Sequence, residues 1–125
     1  MRAVCSTFLL ALLVICVARA ETESESQVEI TYLLHAVSDS GCIFTRNNEQ
    51  YSAVDAADHL RLKYNRGKRY ASTAEKFIDR LASESSWTGM PYTVTCQGAT
   101  EPSAQWLHRT LAEYRAADTK KTEHP

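Results

Sequence analysis

The chain lacks most of the signatures that assign a function outright. Its 14 lysines and arginines face 15 aspartates and glutamates, so it has none of the basic excess of a dedicated nucleic-acid-binding domain. No Cys-x-x-Cys pair occurs, which argues against a redox-active or metal-binding cysteine pair. His-Glu-x-x-His and Gly-x-Ser-x-Gly are both missing, and with them the usual marks of a zinc protease or a nucleophile elbow. After the first twenty residues, no apolar run approaches the roughly 20 residues that cross a bilayer. There are no internal repeats, and low-complexity sequence is confined to the polar ends. No metal or cofactor is expected.

What is present begins at the N-terminus. Arg2 gives a positive start, Phe8 to Val17 an apolar run, and Ala18-Arg19-Ala20 small residues at the two positions a signal peptidase reads. Glu21 then opens a polar stretch. This is the pattern of a secretory signal peptide, residues 1–20, with cleavage expected after Ala20. Cys16 follows the branched Ile15, where a lipoprotein signal wants a small residue, and the run is too short for an uncleaved anchor. Cleavage leaves residues 21–125, enough for one domain with one modest core. Arg2 and Arg19 leave with the signal, so 12 basic side chains face 15 acidic ones, a formal charge of −3. Cys5 and Cys16 leave as well. Cys42 and Cys96 then have a single possible pairing, and an oxidising compartment favours it. Closing a loop of about 55 residues contributes roughly 4 kcal/mol on the chain-entropy model.

The periodicities place the elements. Residues 21–26 read as a flexible leader. Ser26 with Glu29 resembles a capping box, and Ile30, Leu33, Leu34 and Val37 repeat at helix spacing, predicting a helix over 27–38. Cys42 to Tyr51 reads as a hairpin turning at Asn47-Asn48, since asparagine tolerates positive φ. Ser52 caps a second helix, whose stripe is Ala53, Ala56, Ala57, Leu60 and Tyr64 and which stops at Gly67. Leu62 lies opposite Leu60, either on a second buried side or at the surface. Ser72 with Glu75 opens a third helix, with Ala74, Phe77, Ile78 and Leu81 on one face, running to about Ser85. A loop follows to Pro91, then an alternating strand, Tyr92 to Cys96. Ser103 caps a last helix, with Leu107, Leu111 and Tyr114 on one face, and residues 118–125 form a frayed tail. The expectation is therefore an α+β domain over 27–117, in the order α-β-β-α-α-β-α. About four helices pack on a small three-stranded antiparallel sheet, stapled by one disulfide.

Four strings occur in order: Phe44-Thr-Arg46-Asn47, His59-Leu60-Arg61-Leu62-Lys63, Thr73-Ala74-Glu75-Lys76-Phe77-Ile78, and Ser85-Ser86-Trp87-Thr88-Gly89-Met90-Pro91-Tyr92. Together they resemble the YfeK-like family of short exported bacterial proteins of unknown function, over about residues 30–114. The resemblance implies a periplasmic location and lends no activity. Asn48 departs from the glycine usual in the family's turn, a change the same turn tolerates.

Two surfaces stand out. On helix two, Asp55, His59 and Lys63 recur every four residues and Arg66 follows three later, forming a row beside the apolar stripe. Arg61, Lys68 and Arg69 add further positive charge. This cationic segment, in an otherwise acidic protein, is either an anion site or a solvated helix face with its own ion pairs. Arg46 on the hairpin is expected near it, with a bridge to Glu75 as one way to tie hairpin to helix. The loop at Ser86-Trp87 collects hydroxyls, an aromatic and a glycine. It can stack on a sugar or peptide, or Trp87 can fold back on the core. The candidate ligand surface is Arg46, His59, Arg61, Lys63, Arg66, Ser86 and Trp87. Of the histidines, His35, His108 and His124 fall in no recognised metal spacing. A Ser86–His59–Asp58 triad can be drawn, although Asp58 and His59 are adjacent on a helix and diverge. The expected function is a non-enzymatic periplasmic module that binds a partner protein or a cell-envelope ligand. The alternative is a small envelope hydrolase using Ser86 or His59.

Overall fold

The computed structural model describes residues 23–123. The expected signal peptide, the first residues of the leader and His124 lie outside the described residues. The elements are α1 (Glu25–Asp39), β1 (Ile43–Arg46), β2 (Glu49–Tyr51), α2 (Ala53–Gly67), a short 3-10 turn (Lys68–Tyr70), α3 (Ala74–Leu81), β3 (Thr93–Cys96), β4 (Ala99–Pro102) and α4 (Ser103–Thr122).

The sheet has four antiparallel strands in the order β2-β1-β3-β4, not three. The additional strand, Ala99-Thr100-Glu101-Pro102, is an edge strand with little buried surface, so it carries no apolar alternation. Its proline pairs with Thr93 at the strand's end, where a missing N–H is tolerated. Gln97 and Gly98 both adopt positive φ, 51° and 78°. They turn a second two-residue hairpin like the one at Asn47 and Asn48, at 49° and 66°. The first turn thus forms without the family's glycine. The disulfide joins Cys42 to Cys96 with their α-carbons 4.7 Å apart, fastening the two central strands β1 and β3.

The helices gather on one face of this sheet. Phe44 on β1 stands opposite Val94 on β3, and both are buried against the helical layer. Phe77, Ile30, Leu33, Ile78, Leu107 and Val37 complete the fully buried centre. Ala53, Ala56 and Ala57 present little bulk, so α2 packs closely on its neighbours. Leu62 is 46% exposed and is a surface contact rather than a second buried side.

Several helix ends differ from expectation, each for a local reason. The capping box of α1 is Ser24 with Gln27, so residues expected in the leader are already helical. Glu29 cannot reach back to Ser26 because it is drawn inward, only 5% exposed, onto Arg115 of α4. Thr73, not Ser72, caps α3. Glu75 is taken by Arg115 as well, so no bridge to Arg46 forms. Helix α3 stops at Leu81 rather than Ser85, because Ser85 is buried as the anchor of the next loop. Ser103 opens α4 but makes no capping bond. Helix α4 continues to Thr122, through most of the expected tail.

Candidate functional site

The site follows from the register of the sheet. Side chains two apart on a strand share a face. Phe44 and Val94 point into the core, so Arg46 and Tyr92, each two residues along, emerge on the same face where the core ends. Tyr51 pairs with Phe44 and joins them. Across from this edge runs the α2 row, whose spacing of four puts His59 and Lys63 on one side of the helix.

These groups meet. Arg46 Nη1 lies 2.8 Å from each ring nitrogen of His59, and Arg46 Nη2 donates to the Tyr51 hydroxyl at 3.0 Å. Tyr51 passes the chain on to Glu49 at 2.8 Å. Lys63 Nζ donates to the Tyr92 hydroxyl at 3.1 Å and to the Glu84 carbonyl at 3.0 Å. The Tyr92 hydroxyl lies 3.4 Å from His59 Nε2. Arg46 and Lys63 also sit over aromatic rings, 4.9 Å from the centre of Tyr51 and 5.0 Å from that of Tyr92.

The electrostatics of the cluster are one-sided. A guanidinium only donates, so of the two His59 ring nitrogens only the one without a proton can accept from it. Burial, then Arg46, then Lys63 hold the His59 pKa below its ordinary value of 6.5. Burial and Arg46 likewise lower Lys63, against an opposing pull from Glu84. Burial raises the Tyr92 phenol, against a lowering by Arg46. Among the described residues no carboxylate forms an ion pair with Arg46, His59 or Lys63.

The 85–90 segment completes the site. Ser85 is buried, and its hydroxyl accepts from the Trp87 amide at 3.3 Å and from Asn47 Nδ2 at 3.2 Å. Thr88 Oγ1 donates to Asn47 Oδ1 at 2.6 Å. The first hairpin turn and this loop are thus tied together by one asparagine. Trp87 does not fold back on the core; it is 96% exposed, beside the groove.

Two hollows flank the cluster and share Arg46, His59 and Tyr92 as their common wall. One is a polar groove of about 510 Å³, reached by Lys63, Arg66, Ser86 and Trp87. The other is an apolar cavity of about 290 Å³ between the sheet, α2 and α4, lined by Phe44, Ala56, Leu60, Ala82 and Leu107.

Six of the seven residues expected on the ligand surface therefore converge: Arg46, His59, Lys63, Arg66, Ser86 and Trp87. Arg61 does not. It bonds Asp58 one turn earlier at 2.8 Å, the intrahelical pairing of a solvated face. The pairing also takes Asp58 from any triad, and no hydrogen bond joins Ser86 to His59 among the described residues. Sequence reasoning missed Tyr92, Tyr51, Asn47 and Ser103. The signal for the first two was available, because counting by two from Phe44 and Val94 places them, but it needs the strand register.

Among the described residues no group of three or more His, Cys, Asp or Glu side chains could hold a metal ion, and no helix is long and apolar enough to cross a membrane. The chain is similar to the uncharacterised protein YfeK of Salmonella typhimurium, with 37% identity over 83 residues, 66% of this chain and 69% of that protein. No solved structure matches. The model of a family of unknown function, DUF5329, matches residues 24–115, which include every residue of the site just described. The chain therefore belongs to this family of unknown function.

Proposed function

We propose that the protein is a non-enzymatic binding module of the cell envelope, exported to the periplasm, that recognises an anionic group on an envelope component or partner. The observation that carries this reading is the convergence of Arg46, His59 and Lys63 without an ion-paired carboxylate. Half-buried cations in that state lose part of their hydration and, Glu84 acting only at a distance on Lys63, gain no directly paired counter-charge, so an incoming anion recovers what the fold leaves unmatched. Arg66 extends the positive rim, and Trp87 offers a flat apolar face to whatever carries the anion. The alternative, a hydrolase using Ser86 or His59, lacks geometric support. His59 faces a guanidinium that would oppose the imidazolium a general base must become.

The reading is tested by titrating inorganic phosphate and acetate into the protein while following the His59 ring resonances, which every variant retains. Saturable shifts are expected in the wild type and in Arg61→Gln, whose charge lies outside the groove. They should vanish in Arg46→Gln/Lys63→Gln. Equal shifts in all three proteins would refute the site. Export is tested by N-terminal sequencing of the secreted chain, which should begin at Glu21.

A further inference from the structure

The apolar cavity has two features that simple packing leaves unexplained. The first is Ser103. Its side chain lines the cavity, it is 2% exposed, and its hydroxyl has no hydrogen-bond partner among the described residues. A buried hydroxyl without a partner is costly and uncommon in a folded domain. The second is the position of the cations. Arg46 and His59 stand in the wall between this apolar space and the polar groove, and Lys63 lines the groove beyond that wall. An apolar hollow with a few convergent polar groups is the usual form of a small-molecule site, and about 290 Å³ lies at the small end of the range for such sites.

We propose that the site binds a single-chain amphiphile: its apolar chain fills the cavity beneath Arg46, its anionic head meets Arg46 and Lys63, and an oxygen on the ligand engages Ser103. This rests on the anion site argued above and names the class of molecule that site takes. The orientation follows from charge. Asp55 lines the same cavity one helical turn before His59 and repels an anion at its own end, so the head lies toward Arg46 and Lys63. At roughly 30 Å³ per heavy atom, as for a water in the liquid, the cavity accommodates about ten chain atoms. The polar groove beyond, with Arg66 and Trp87 at its rim, leaves room for a larger headgroup.

The test is calorimetric titration of the full secreted chain with hexanoate, octanoate, decanoate and dodecanoate, each below its micelle threshold. Inorganic phosphate, decyl phosphate and decanol serve as the other arms. Each added methylene is expected to tighten binding about fourfold until the cavity is full, near ten carbons. Decanol should bind at least tenfold more weakly than decanoate. Decyl phosphate against decanoate shows whether the head is a phosphate or a carboxylate. Ala56→Leu fills the cavity and should abolish the chain-length dependence while phosphate still binds. If that variant does not fold, the wild-type series decides alone. In a set of positional hydroxydecanoates, at least one should bind more tightly than decanoate, and Ser103→Ala should remove that gain. Phosphate binding without any dependence on chain length would overturn the amphiphile and leave the anion site standing. Binding of neither phosphate nor any amphiphile would overturn both. Equal binding of decanol and decanoate would overturn the placement of the head.

Discussion

Two arginines in this small domain hold opposite positions. Arg115 on α4 donates from Nε and Nη2 to the buried Glu29 of α1, at 2.5 and 2.9 Å, and from Nη1 to Glu75 of α3. Two carboxylates surround it, and its pKa is raised by the Glu29 bond first and the Glu75 bond second. Arg46 at the end of β1 has a histidine, a tyrosine hydroxyl and a nearby lysine, and among the described residues no carboxylate bonded to it. The first arrangement is finished: three helices are joined, and every donor nitrogen of the guanidinium meets a carboxylate. The second is unfinished in the folded chain, and an unmatched cationic cluster beside two hollows is what a recognition site requires. On the proposed reading, the first is charge that holds a fold together and the second is charge that takes a ligand.

The difference can be tested by removing each arginine. Arg115→Ala strands the Glu29 carboxylate, which is only 5% exposed. It should cost about 2 kcal/mol in denaturant unfolding, less than for a fully buried pair because Arg115 itself is 46% exposed. Phosphate binding should survive wherever the variant is folded. Arg46→Gln/Lys63→Gln should do the reverse, changing stability by less than about 1 kcal/mol and removing anion binding. A large loss of stability in the second variant would make the cluster a structural element.

Acid provides a finer separation. The folded fold depresses the pKa of Glu75, chiefly through its bond to Arg115, below the ordinary value of 4.5. Its contribution is therefore complete above that value and is lost as pH falls through the folded pKa. His59 is lowered from 6.5 mainly by burial, so keeping it neutral favours the folded state above 6.5, and that contribution fades as pH falls through its folded pKa. Stability measured against pH should decline in two stages. Arg115→Ala should reduce the stage that sets in below 4.5, and His59→Gln should remove the one that sets in below 6.5. Anion affinity should move the other way and rise as His59 gains its proton. The smallest effect belongs to Trp87→Ala. The side chain is 96% exposed, so unfolding should change by no more than about 0.5 kcal/mol, while ligands with large headgroups should weaken.

The sequence showed the helices well because their apolar stripes are long. Ile30, Leu33, Leu34 and Val37, and likewise Phe77 and Ile78, are buried where the periodicity places them. Strand β4 was hidden because an edge strand has no face to bury, and Ala99-Thr100-Glu101-Pro102 shows none. The caps shifted because the acids that would have closed the boxes, Glu29 and Glu75, were recruited across the molecule by a residue up to 86 positions away. The basic row of α2 was visible at its spacing of four. Its meeting with Arg46 and Tyr92 depends on the pairing of β1 with β3, which no local pattern encodes. Ser103 read as a cap because serine before a helix commonly is one. Only the tertiary packing turns its hydroxyl into an unmet group beside a cavity.

The most direct measurement is the pKa of His59 by NMR, in the free protein and in saturating phosphate. Burial first, then Arg46 and Lys63, hold it down in the free protein, and a bound anion would offset the two cations. The expected value lies below 6.5 and rises when phosphate is added. An unchanged His59 would contradict the claim that the cluster is an anion site.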